Sequence, residues 1–139
     1  MSRVGASVRC AALAAFAAVC AVAVAQTGGV VGYTAAQASR GAALVTAKCA
    51  VCHGDELTGG PGTPPLKGPE FQFTWKGKTV AELVAFMREK MPPGGGDTLT
   101  DPQYTDVIAT ILQANEVAAG ANELSSDPAI QAGLRLLTP

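Results

Sequence analysis

Five residues constrain this chain more than any others: Cys49-Ala50-Val51-Cys52-His53. In a helical turn, positions i, i+3 and i+4 share one face. Cys49, Cys52 and His53 have those offsets, so two thiols and one imidazole are presented together. His53 is the sole histidine of the 139 residues, and the other two cysteines, Cys10 and Cys20, lie far upstream. The favoured reading is attachment of a haem, its two vinyl groups bonded to the two sulfurs and its iron facing the imidazole. Three alternatives stand beside it. A structural zinc site needs four ligands, usually from two such pairs. A redox dithiol of the thioredoxin kind needs strand–helix surroundings, which the flanking pattern lacks. A plain disulfide would be a lone staple, whereas small secreted domains usually carry several.

The N-terminus bears on that choice. Arg3 and Arg9 precede a run from Cys10 to Ala25 that is almost wholly apolar, and Ala23-Val24-Ala25 has the small–x–small form of a cleavage site. This three-part pattern predicts a secretory signal peptide over residues 1–25. The run has 16 residues, short of the ~20 that a membrane span needs. A lipoprotein site at Cys20 is disfavoured by the bulk of Val19 before it. Cleavage after Ala25 removes Cys10 and Cys20, so Cys49 and Cys52 are the cysteines expected in an oxidising, periplasmic compartment. It also removes Arg3 and Arg9, leaving eight basic against eleven acidic residues and a formal charge of −3. Such a chain has no clustered cation patch for nucleic acid or an anionic membrane.

The mature chain reads as a loose Gly/Val linker over 26–33 and one domain over 34–139. Its pattern is all-α, with three main helices and long Gly/Pro loops. A first helix is expected from Ala35 to Lys48, started by a Thr34/Gln37 capping box, with Gly41 offering a close approach to another helix. A second fits Val80 to Lys90, started by Thr79/Glu82 and stopped by Pro92-Pro93. Leu83, Phe86 and Met87 share its apolar face. A third fits Pro102 to Asn115, with Thr100/Gln103 as its box and Tyr104, Val107, Ile108, Ile111 and Leu112 as its stripe. A last turn or two is expected over 127–134. Gly54 to Lys78 holds six Gly and four Pro and reads as one long loop. A loop of that length in a compact domain needs a cause, and a large prosthetic group to wrap is one.

Electron-transfer haems of this type take His on one side of the iron and Met on the other. Beyond the initiator, the methionines are Met87 and Met91. Met87 belongs to the apolar stripe and reads as core. Met91 stands at the helix end, before Pro92-Pro93-Gly94-Gly95-Gly96, and is the candidate second ligand.

With these residues placed, the chain resembles the class I cytochromes c, and more narrowly the single-haem domains that serve bacterial quinoprotein and other periplasmic dehydrogenases. The resemblance covers about Tyr33 to Leu124. It rests on Cys49 to Gly54, Pro64-Pro65-Leu66-Lys67-Gly68, Trp75 with Thr79 and Leu83, Met91-Pro92, and Leu99-Thr100 leading into Tyr104. It implies that a proline carbonyl, of Pro64 or alternatively Pro65, accepts the Nδ1–H of His53. It also implies that the Trp75 indole meets a haem propionate, against a plain role as a core aromatic. Two departures stand out: Val45 and Thr110 occupy helix-crossing places where the family often has aromatics.

The expected function is therefore a periplasmic electron carrier with one covalent, His/Met-ligated haem c. It is not itself an enzyme, and its partners are a dehydrogenase donor and an oxidase or other acceptor. The alternative is a haem peroxidase or gas sensor in which Met91 is weak or displaceable.

Overall fold

In a computed structural model, residues 31–137 are described, and the expected signal peptide lies outside them. Six helices follow in order: α1 (Ala35–Lys48), α2 (Ala50–His53), α3 (Gly68–Trp75), α4 (Val80–Lys90), α5 (Asp101–Ala114) and α6 (Pro128–Gln131). Among the described residues there is no strand beyond isolated bridges, so the domain is all-α. No described helix is long and apolar enough to cross a membrane.

The frame is the crossing of α1 with α5, where the two helices make their main contact. A side chain at Gly41 would run into the Asp106 carbonyl, so the crossing needs glycine there. Thr110, one of the positions without an aromatic, instead donates its hydroxyl to the Ala38 carbonyl at 2.7 Å. Arg40 forks onto both oxygens of Asp106, at 3.1 and 2.9 Å, and reaches Glu123 at 2.8 Å. Tyr104, Val107, Ile108, Ile111 and Leu112 are all buried, as the 3.6-residue period of α5 requires.

The helix starts are only partly as their sequences suggest. Thr79 and Glu82 close both halves of their box on α4. Thr34 accepts from the Gln37 N–H, but the Gln37 amide does not turn back to the cap. It is buried and exchanges two hydrogen bonds with the Leu124 backbone, at 3.0 and 2.7 Å. This pins the chain after α5 against α1, a longer-range use of the amide than a local box.

Two other expectations are corrected. The segment 54–78 is not one continuous loop, because α3 lies inside it. Gly68 and Pro69 open that helix, where a missing N–H costs nothing, and Phe71 and Trp75, one turn apart, are its buried face. The end of the presumed linker is also docked: Val31 and Tyr33 are buried, and the Tyr33 hydroxyl donates to the Val117 carbonyl at 2.6 Å. At the other end, residues 134–136 zip onto 77–80 through Val80 N–H to Leu134 O and Leu136 N–H to Lys78 O.

Candidate cofactor site

The first wall of the site comes from α2 and the loop after it. Cys49 is at once the last cap of α1 and the first of α2, so the turn carrying the pair continues the long helix. Cys49 is half-buried, Cys52 is exposed, and both sulfurs are free. Burial pushes the Cys49 thiol up, and the nearby Lys48 ammonium opposes the shift. His53 is buried. Its Nδ1–H donates to the Pro64 carbonyl at 2.9 Å; of the two prolines, Pro64 is the one that reaches it. That bond fixes the ring and leaves Nε2 as the lone-pair nitrogen.

The loop that brings Pro64 there is tightly made. Gly59 sits at φ +76°, and a side chain on it would lie 2.9 Å from the backbone of Pro64 and Pro65. Gly59 N–H donates to the His53 carbonyl, and Leu66 N–H to the Leu57 carbonyl, both at 2.9 Å. Asn115, at the end of α5, then holds the loop from outside: its amide donates to Leu66 O and accepts from Gly68 N–H.

The opposite wall is the end of α4. Met91 is the C-cap, with extended backbone at φ −125° and ψ 131°, so the chain leaves the helix there. Two adjoining cavities share Cys49, His53, Met87 and Met91 as walls. The outer one opens past Val51 and Cys52 and is also lined by Leu99 and Tyr104. The inner one runs in under Leu66, Phe71, Trp75, Leu83 and Ile111. Trp75 is buried, with Phe86 edge-on at 5.4 Å and the Lys78 ammonium 4.9 Å from its ring centre. Met87, read as core, is buried and also faces this space, because it lies one turn before Met91 on the same helix face.

These residues fit a haem. His53 and the two methionines line the same apolar space and the cysteines border it, so an imidazole and thioethers are on hand as ligands. Tyr104, buried with its hydroxyl beside the Asp97 carboxylate and the Leu99 backbone, also lines the outer cavity. Burial pushes the Tyr104 phenol up, and the Asp97 carboxylate adds to this. Tyr104 and Met87 were hidden in the sequence inside apolar stripes; the one hint was a phenol where a plain hydrophobe would have served.

Fold and site together define a c-type cytochrome domain. The family model described as cytochrome C oxidase, cbb3-type, subunit III, matches residues 36–109, more than half the chain, and the chain belongs to this family of class I c-type cytochromes. Two curated relatives are thiosulfate dehydrogenases. The chain is 37% identical to that of Allochromatium vinosum over 82 residues, covering 52% of this chain and 29% of the relative. It is 35% identical to that of Stutzerimonas stutzeri over 78 residues, covering 51% and 25%. The aligned part thus spans less than a third of either relative. No solved structure matches. The family carries haem c and performs haem-based electron transfer.

Proposed function

We propose that the chain is exported, loses residues 1–25, and carries one haem c bonded through Cys49 and Cys52, with His53 and Met91 as axial ligands. Its role is to pass single electrons between a dehydrogenase donor and a downstream acceptor in the periplasm. One observation carries this reading: His53 and Met91 line the same apolar cavity, and both cysteines border it.

When bound, a haem c supplies a one-electron iron couple. The chain's residues set its terms. The Pro64 carbonyl holds the His53 ring in one orientation and makes Nε2 more basic. The Met91 thioether is a soft ligand that favours the ferrous state and raises the potential. Leu66, Phe71, Leu83 and Ile111 keep water from the inner side, which penalises the more highly charged ferric state. Trp75, at the inner end, is the proposed propionate neighbour. Val51 is 86% exposed beside Cys52, leaving the outer edge open to a partner. With His53 and Met91 both held at the cavity, the closed form would leave no position at a bound iron for peroxide or a gas, which favours the carrier as the resting form.

The test is the ferric spectrum and a redox titration of the haem-loaded protein. The carrier reading expects low-spin iron with a far-red thioether band and one reversible one-electron wave. High-spin iron in the parent protein contradicts it. The names of the relatives favour a second reading, direct participation in thiosulfate oxidation. Reduction of the ferric protein by thiosulfate alone supports that reading; no reduction supports the carrier.

A further inference from the structure

We propose that Arg88 is a positioning residue for Met91, a clasp that keeps the loop after α4 closed and so holds the thioether at the cavity. This rests on the reading of Met91 as the second axial ligand.

Arg88 sits one turn before Met91, and its guanidinium ties together three places. It bonds the Asp97 carboxylate on the loop at 2.5 Å and the Asp101 carboxylate in the first turn of α5. It also lies 4.5 Å from the centre of the Tyr104 ring, stacked on the tyrosine that lines the cavity. The planar, five-donor guanidinium can engage two carboxylates and an aromatic face at once, which an ammonium cannot. The backbone is equally close: a side chain at Gly96 would strike the Arg88 carbonyl, so the loop lies directly on the helix end. Inside, the loop from Pro92 to Thr98 has one backbone bond, Gly95 N–H to Pro92 O at 3.0 Å. Little else in the loop's own backbone resists its lifting away.

The consequence is a two-state loop. Closed, Met91 stays at the iron. Open, the position is free, and an added ligand binds with an affinity set by the open fraction. Arg88 governs that fraction.

The experiment titrates imidazole into the ferric, haem-loaded protein and its variants, following displacement of the far-red thioether band. Arg88→Gln is expected to bind imidazole at least tenfold more tightly than the parent, and Arg88→Lys to fall between. Asp97→Asn removes the loop's half of the clasp, while asparagine tolerates the positive φ of 57° found there. It is expected to shift in the same direction and carries the test if Arg88→Gln does not fold. Arg40→Gln breaks the comparable fork at the α1–α5 crossing, away from the cavity, and is expected to lower stability with imidazole affinity within twofold of the parent. The clasp is overturned if Arg88→Gln and Asp97→Asn both bind imidazole like the parent, or if Arg40→Gln gains as much. Met91→Ala, run alongside, separates the two claims. If its spectrum matches the parent, the ligand assignment fails and the clasp with it; if its band is lost while Arg88→Gln still binds like the parent, the clasp alone fails.

Discussion

The His53 wall and the Met91 wall enclose the same space but are held by different means. The first is nearly continuous in sequence, from Cys49 to Leu66, and its shape comes from backbone bonds: Cys49 O to His53 N–H, His53 O to Gly59 N–H, Leu57 O to Leu66 N–H. Asn115 braces it through two more main-chain contacts. The second joins the end of α4, a glycine-rich loop and the start of α5, and what crosses between them is chiefly the Arg88 side chain. A wall of main-chain bonds opens only with the fold. A wall held by partly exposed ion pairs opens at small cost, since exposed pairs contribute only ~0.2–1 kcal/mol each. The difference gives the two proposed axial ligands different permanence: His53 fixed, Met91 exchangeable.

The largest expected effects test that contrast at the ligands. Met91→Ala should leave covalent haem in a folded domain, with the far-red band lost and the potential lowered. His53→Ala should instead cripple haem loading, seen as a fall in haem per polypeptide after export. If the two variants behaved alike, the walls would not differ. Next, Met87→Ala should lower stability by ~2–5 kcal/mol in denaturant unfolding, because it empties a buried site. Its spectrum should be unchanged; loss of the thioether band would make Met87 the ligand. Gly59→Ala should lower stability by about 1–3 kcal/mol, since alanine is strained at positive φ. It should also shift the potential by moving Pro64 away from His53, while Gly94→Ala on the exposed loop should leave the potential nearer the parent's. The smallest effect concerns the far end of α4. Hydrogen bonds from Thr79, first from its backbone, hold the Glu82 carboxyl below its ordinary range. A depressed carboxylate adds stability above its unfolded pKa and loses it as pH falls through the folded value. Glu82→Gln should therefore flatten the acid side of the stability–pH curve slightly, with no change in the spectrum.

Much of the frame was legible because its signals are local. Capping residues and a clean 3.6-residue period placed α1 and α4 at their observed bounds, and α5 within one residue. Gly41 announced a close approach, and Asp106 provides it. The failures share a cause, which is that distant partners decide. Gly68-Pro69 looks like loop punctuation until Phe71 and Trp75 have a core to enter. Val31 and Tyr33 carry no period, and only the returning chain near Val117 and Arg135 docks them. Gln37 matched a cap pattern, yet Leu124 captures its amide. At the site, the attachment string was plain, but spacing alone could not show that Met87 and Met91 reach one cavity, nor that Arg88 reaches Asp97 and Asp101.

The most direct measurement is the intact mass of the mature protein after export with haem supply, paired with its pyridine haemochrome spectrum. The account predicts one added haem mass that resists acid–acetone extraction and is absent from a Cys49→Ala/Cys52→Ala variant. A polypeptide of bare mass, or haem that extracts freely, would contradict it.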